Sequence, residues 1–235
     1  MEELFKKIED AKDKMGQREL LFRGHSSVDY QLLPTLFRNN AHKVERSVFY
    51  KYKSHVAAIN GVTKSNWDLL LDMQHYGLPT RLLDWTTSVG TALYFALKGN
   101  PESPCIWLLD PFTLNGTSTG QNILFDLSTV PDEGGNPDFS AGHIMAGDCK
   151  LEIPYAIQPP HGNSRISAQR GLFTVHTTSH DPIEVQCPDS VMKIEIPKEE
   201  ISKYMSYIKM LGIDDFSLFP DQAGLAAFLK CLYSL

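Results

Sequence analysis

Residues 74–96, QHYGLPTRLLDWTTSVGTALYFA, bring a His-Tyr-Gly turn, a proline, an arginine, an Asp-Trp-Thr-Thr cluster and a helical apolar run into one stretch. No other segment gathers so many chemically distinct groups. A second signal lies upstream, where Arg23 ends a short apolar run and Gly24 follows it. A guanidinium offers an anion a bidentate fork, and a glycine lets a ligand approach the backbone closely. Arg23 and Gly24 are therefore expected to meet an anionic group.

Strands and helices must hold these groups in place, and the sequence marks them locally. Residues 19–23 read as a strand broken by Gly24, with His25, Ser26, Ser27 and Asp29 as a polar loop. Residues 42–60 carry a helical stripe of Val44, Val48, Tyr52, His55, Val56 and Ile59, ended by Gly61. Residues 63–75 form the next helix, started by Thr63 or Ser65. Gly77 and Pro79 then turn the chain into a strand over 81–85, and Thr86, Thr87 or Ser88 caps a helix over 92–97. That order sets Asp84 at a strand end and the hydroxyls at a helix N-terminus, both facing a cleft.

Further along, residues 104–110 read as a buried strand, and 151–157, 171–177 and 190–196 as three more. Residues 111–150 are rich in Gly, Ser, Thr, Asn, Asp and Pro, with only 123–127 strand-like, and read as a long insertion loop over the site. Pro197 starts a helix that Gly212 ends, and residues 219–235 form an apolar helix expected to be stable only when packed on the sheet. One α+β domain over residues 1–235 accounts for this order.

Composition narrows the functions available. With 42% hydrophobic and 21% charged residues the chain has the balance of a globular protein. Its net charge of −6 gives no global attraction to nucleic acid or anionic lipid, so a polynucleotide would need a local basic pocket. Cys105, Cys149, Cys187 and Cys231 form no CxxC pair, and the eight histidines are dispersed, which disfavours zinc signatures. Reduced, mostly buried thiols, no leader-like start and no apolar run near eighteen residues place the protein in the cytoplasm, away from membranes. No Gly-rich phosphate loop, nucleophile elbow or HExxH motif is present.

Phe22-Arg23-Gly24 comes first; then Gln74-His75-Tyr76-Gly77, Leu82-Leu83-Asp84-Trp85-Thr86 and Ala92-Leu93-Tyr94-Phe95-Ala96. Arg165, Gln169, Gly171 and Phe173-Thr174 follow, then Phe219-Pro220-Asp221 with Gly224-Leu225. In this order, across residues 22–225, they resemble the successive motifs of the FRG domain, a family mostly of unassigned function. A more distant resemblance is to toxin-type ADP-ribosyltransferases. Those enzymes carry an arginine on the first strand, a Ser-Thr-Ser strand before an Ala-x-x-Phe-Ala helix, and a late strand with a Glu and then Gly-x-x-Phe. Arg23 matches the first element, and Ala92, Phe95 and Ala96 place Asp84-Trp85-Thr86 where Ser-Thr-Ser would stand. Two departures are plain: Asp84 replaces a serine, and no Glu precedes Gly171, where Ser164, Arg165, Ser167 and Gln169 stand.

The resemblance implies an ADP-ribosyltransferase-like split β-sandwich with flanking helices and NAD as the cofactor. It implies that Arg23, His75, Asp84 and Gln169 are catalytic, and that Arg23, Gly24, Tyr76, Thr86 and Tyr94 bind the cofactor. Arg23 would pin the diphosphate or ribose, and Tyr76 or Tyr94 would stack on the nicotinamide. Thr86 or Asp84 would hold a ribose hydroxyl, with Asp84 supplying negative charge to an oxocarbenium-like cation. Gln169 would orient the acceptor and His75 would act as base. The implied function is ADP-ribosylation of RNA, DNA or protein by a bacterial toxin or phage-defence effector, with an antitoxin protein as a partner. The competing reading is a catalytically silent module that binds a nucleotide or protein, and a third is metal-dependent hydrolysis. Each role also has a structural alternative: an Arg23–Asp84 salt bridge between strands, His75 bonded to a turn carbonyl, Tyr94 and Phe95 in the core, Arg165 and Gln169 as a polar network. Arg81 reads as structural.

Overall fold

The computed structural model describes residues 1–16, 18–61, 63–130, 136–160 and 163–235. In chain order it opens with α1 (Glu2–Lys14), β1 (Leu21–His25), α2 (Thr35–Arg38), α3 (Glu45–Asn60), α4 (Asn66–His75), β2 (Leu82–Thr86) and α5 (Val89–Leu97). Next come β3 (Cys105–Leu109), α6 (Pro111–Thr119), β4 (Phe125–Asp126), α7 (Ala141–Ala146), β5 (Tyr155–Gln158) and α8 (Ser164–Ala168). The chain ends with β6 (Gly171–Val175), α9 (Ile183–Gln186), β7 (Val191–Glu195), α10 (Ile201–Met210), α11 (Asp215–Leu218) and α12 (Gln222–Tyr233).

Local chemistry fixes the ends that matter. The Ser65 hydroxyl accepts from the Asp68 amide to start α4, and the Ser88 hydroxyl accepts from the Thr91 amide to start α5. Ser88 is thus the cap among the three hydroxyls considered, and α5 begins three residues earlier than its apolar run suggests. Gly61, at φ +65°, closes α3 in the left-handed region that glycine adopts without strain.

All seven strands join one mixed sheet in the order β4-β5-β6-β2-β1-β3-β7, antiparallel except for the β4–β5 pair. The β1–β3, β2–β6 and β3–β7 ladders each run over five residue pairs, whereas β1 and β2 share the single pair Phe22↔Thr86. The sheet therefore parts at its middle while remaining one hydrogen-bonded order, in place of the two packed sheets of a sandwich.

Strand alternation explains how the two faces are covered. Leu21, Leu83, Trp85, Trp107, Leu109, Ala156 and Leu172 form one core that spans both halves. On the other face the core is divided. Phe22, Ile106, Leu108 and Ile194 pack with α1, α5 and α10, while Leu82, Tyr155, Ile157, Phe173 and Val175 pack with α3, α4 and α7. Arg81, read as structural, is buried and bonded in bidentate fashion to Glu45, and its Nη1 donates to the carbonyls of His176 and Thr177 at 2.8 and 3.2 Å.

Two expectations fail. Residues 111–150 are not a loop over the site: α6 and α7 lie within them, and buried Leu114, Asn115, Ile144 and Met145 tie them to the two cores. Asn115 donates to the carbonyls of Ile123 and Ala156 and accepts from the Ala156 amide, so polar residues that read as loop are bonded inside a packed helix. The last helix, in turn, does not lie on the sheet. Only Gly224 of α12 is buried, and Leu225, Leu229, Leu232 and Tyr233 are exposed. Residues 131–135, which belong to the supposed loop, lie outside the described residues.

Candidate functional site

Where β1 and β2 part, a cleft of about 350 Å³ opens between α5 on one side and α4 and α8 on the other. Phe22, Arg23, Gly24 and His25 line it from β1, Asp84, Trp85 and Thr86 from β2, and Gln74, Arg38, Arg165 and Gln169 from the surrounding helices and their ends. Its size falls within the range of small-molecule sites.

Register explains the parting. The Phe22↔Thr86 pair would continue as Gly24 opposite Asp84 in an antiparallel ladder. In its place the Arg23 guanidinium takes the Asp84 carbonyl, with Nη1 donating at 2.7 Å. A side chain occupies the position of a backbone rung. The same Nη1 lies 3.8 Å from the Asp84 carboxylate, and Arg23 Nε donates to His25 Nε2 at 3.0 Å.

His25 makes that last bond possible. Its Nδ1 is 3.2 Å from the Tyr30 carbonyl, a partner that can only accept, so Nδ1 carries the proton and Nε2 is free to accept from Arg23. Burial first, and the Arg23 charge second, push the imidazole pKa down to about 3, which keeps it neutral. Burial also pulls the Arg23 guanidinium below its ordinary value, an effect Asp84 opposes and Arg38 reinforces. His25, expected in a polar loop, instead closes β1, and the Arg-Gly-His run is the sequence signal for it.

Asp84, half exposed, is the one carboxylate lining the cleft among the described residues. Gln74 Nε2 donates to its Oδ2 at 2.8 Å, and Gln74 Oε1 accepts from the Thr80 hydroxyl. Gln74 therefore fixes the carboxylate, a role no sequence spacing announced.

Other expected site residues are placed differently. Gly24 lines the cleft, but a Cβ there would stand 1.9 Å from the Ala92 carbonyl oxygen, so its lack of a side chain serves the close approach of α5. The Thr86 hydroxyl donates to the Gln169 carbonyl at 2.6 Å and accepts from the Ser88 amide at 3.0 Å, which leaves it bound within the protein. Tyr94 is a core residue: 4% exposed, it donates to Asp215 Oδ1 at 2.6 Å. Tyr76 is 72% exposed and lines a separate concavity of about 380 Å³ with Lys64, Asp68 and Asp72, away from Arg23. Neither tyrosine can stack on a ligand in the cleft as placed.

His75 stands behind the cleft, lining a small recess with Gln74, Asp84, Arg165 and Gln169. Its buried Nδ1 has no partner among the described residues, and burial, then Arg165, lowers its pKa. Its carbonyl accepts from Arg165 Nη1 at 3.1 Å. Arg165 lies 4.6 Å over the Phe219 ring, and Gln169 donates to the Leu218 carbonyl at 3.1 Å, so these two tie α8 to the segment around α11. Among the described residues no three His, Cys, Asp or Glu side chains gather in a way that could hold a metal ion. Among the described residues no helix is long and apolar enough to cross a membrane.

Among the described residues three arginines, Arg23, Arg38 and Arg165, thus face one carboxylate, an excess of two positive charges in a chain of net charge −6. That charge balance can attract an anion, and the part-exposed Phe95 ring offers an apolar surface beside it. Residues 18–104, which contain β1, β2 and α5, match the FRG domain family. No curated protein and no solved structure matches the chain.

Proposed function

With the FRG domain as premise, we propose that the cleft binds NAD and that the protein transfers ADP-ribose from it to a macromolecule, RNA, DNA or protein. One observation carries the reading: the sheet parts between β1 and β2, and the parted strands present Arg23 and Asp84 across the gap. An arginine to hold an anion and a carboxylate to face a developing cation, set across one cleft, are what that reaction needs. In the reaction the bond between the ribose C1′ and the nicotinamide nitrogen breaks, nicotinamide leaves with the bonding pair, and a nucleophile of the acceptor bonds to C1′ and loses a proton. Asp84, held by Gln74, faces the oxocarbenium-like centre with negative charge, and the Arg23 guanidinium faces the diphosphate. His75, neutral because its pKa is lowered, takes the acceptor proton from the recess behind Asp84. Gln169 lines the same recess and faces the acceptor. In this reading the protein acts in the cytoplasm as a toxin or phage-defence effector restrained by an antitoxin.

A second reading, a silent nucleotide-binding module, is favoured by Asp84 being the one carboxylate in the cleft among the described residues. Incubation with labelled NAD and cell lysate separates the two. For the transferase, label passes to a macromolecule, and Asp84→Asn lowers kcat about 100-fold or more while NAD affinity changes by less than about threefold. NAD binding without turnover selects the module. Neither binding nor turnover overturns both.

A further inference from the structure

Arg23 is already engaged. Two of the five N–H groups of its guanidinium are taken, by the His25 ring and the Asp84 carbonyl, and it sits mostly buried in the seam of the sheet. Arg38 is its opposite. It lies at the exposed end of α2, and among the described residues its guanidinium makes one hydrogen bond, from Nη2 to the Thr35 hydroxyl of its own turn at 2.8 Å, and no carboxylate lies within salt-bridge distance of it. It lines the same cleft as Arg23. A charged group left unpaired beside another of the same sign raises the energy of the empty site, and a dianion removes that repulsion.

We propose that Arg38 is the phosphate anchor of this cleft, gripping the diphosphate of a nucleoside diphosphate ligand from the rim while Arg23 meets it from the floor. Coulombic coupling is consistent with this placement, since Arg38 depresses the pKa of both Arg23 and His25. Two positive charges in excess match the charge of a diphosphate bridge, and Thr35, which takes one Nη2 donor, leaves the remaining in-plane N–H groups of the fork available for bidentate bonding. Tyr30, half exposed on the same rim, is set to cover the nucleoside. The inference rests on the cleft holding a nucleotide and is independent of the transfer chemistry.

Calorimetric titration with ADP, AMP and adenosine tests it on the wild type, Arg38→Ala, Arg38→Lys and the control Arg46→Ala, whose side chain lies over Tyr50 outside the cleft. ADP affinity is expected to fall roughly ten- to hundredfold in Arg38→Ala and less in Arg38→Lys, the range of a lost charge-assisted pair. Adenosine affinity stays unchanged, and Arg46→Ala behaves as wild type. Equal ADP affinity in Arg38→Ala, a parallel loss for adenosine, or a wild type that does not bind ADP would each overturn the inference. Its fate is separable from that of the transferase reading. An Arg38-dependent ADP site in a protein that never consumes NAD keeps the anchor and removes the transferase; NAD turnover with Arg38-independent ADP binding does the reverse.

Discussion

His25 holds the floor of the cleft by remaining uncharged. Protonating Nε2 would replace its acceptor lone pair with a second donor aimed at a guanidinium. The folded-state pKa of about 3 lies below the ordinary 6.5, so the unfolded chain binds the proton first as pH falls. Stability is therefore fully present above about pH 6.5 and is lost on acidification toward pH 3, with a slope near 1.4 kcal/mol per pH unit for each such ring. His176, fully buried and also held near 3, adds a second contribution of the same sign. His25→Gln keeps an acceptor for Arg23 and removes one titrating ring. Urea unfolding at pH 7, 6 and 5 should show the slope near pH 5 reduced by about 1 kcal/mol per unit; an unchanged slope would count against a neutral His25. At this scale Arg23 and Asp84 were legible because their side chains advertise charge. Gln74 and Arg38 were not, since an amide bonded to Asp84 ten residues away and an arginine brought in by the packing of α2 leave no mark on local spacing, whereas His25, two residues from Arg23 on the same strand face, left the mark of the Arg-Gly-His run.

Between elements, the decisive contact is α5 against β1. A Cβ on Gly24 would stand 1.9 Å from the Ala92 carbonyl oxygen and 2.6 Å from the Ala96 amide nitrogen, both backbone atoms that cannot swing aside. Gly24→Ala is expected to destabilise the fold by about 3 kcal/mol, measured by chemical denaturation, because the helix must shift or the strand must bend. A loss below 0.5 kcal/mol would mean that α5 has room to retreat. The helix that ends the described chain behaves in the opposite way. Leu229→Glu in α12 should change stability by no more than about 0.5 kcal/mol, since the side chain is exposed and α12 adds no layer to the core. A large loss would restore the expectation of a helix on the sheet. Apolar composition announced a helix packed on the sheet there and loop composition announced an insertion loop over the site at 111–150; in both cases tertiary placement, which no single window encodes, decided the matter. The capped starts of α4 and α5 and the left-handed close of α3 were readable because each is settled within four residues.

At the scale of the whole molecule, one sheet carries two half-cores on one face and a shared core on the other. The mixed α+β class and the approximate positions of the strands followed from alternation and turn residues. The strand order did not, because β1 sits between β2 and β3 while β6 and β7, distant in sequence, flank those two. The single β1–β2 pair is the least visible feature of all in sequence, and its effect reaches beyond the ligand. Most sheets present unsatisfied backbone along their two outer borders. This one has a third border running through its interior, so the amides of β1 and β2 that point into the gap should exchange with deuterated solvent far faster than those of the β1–β3 and β2–β6 ladders in the same strands. Hydrogen exchange followed by mass spectrometry would read occupancy of the cleft directly, as slowed exchange confined to one edge of each strand. The seam makes the centre of this sheet its most responsive part, where other sheets are most inert.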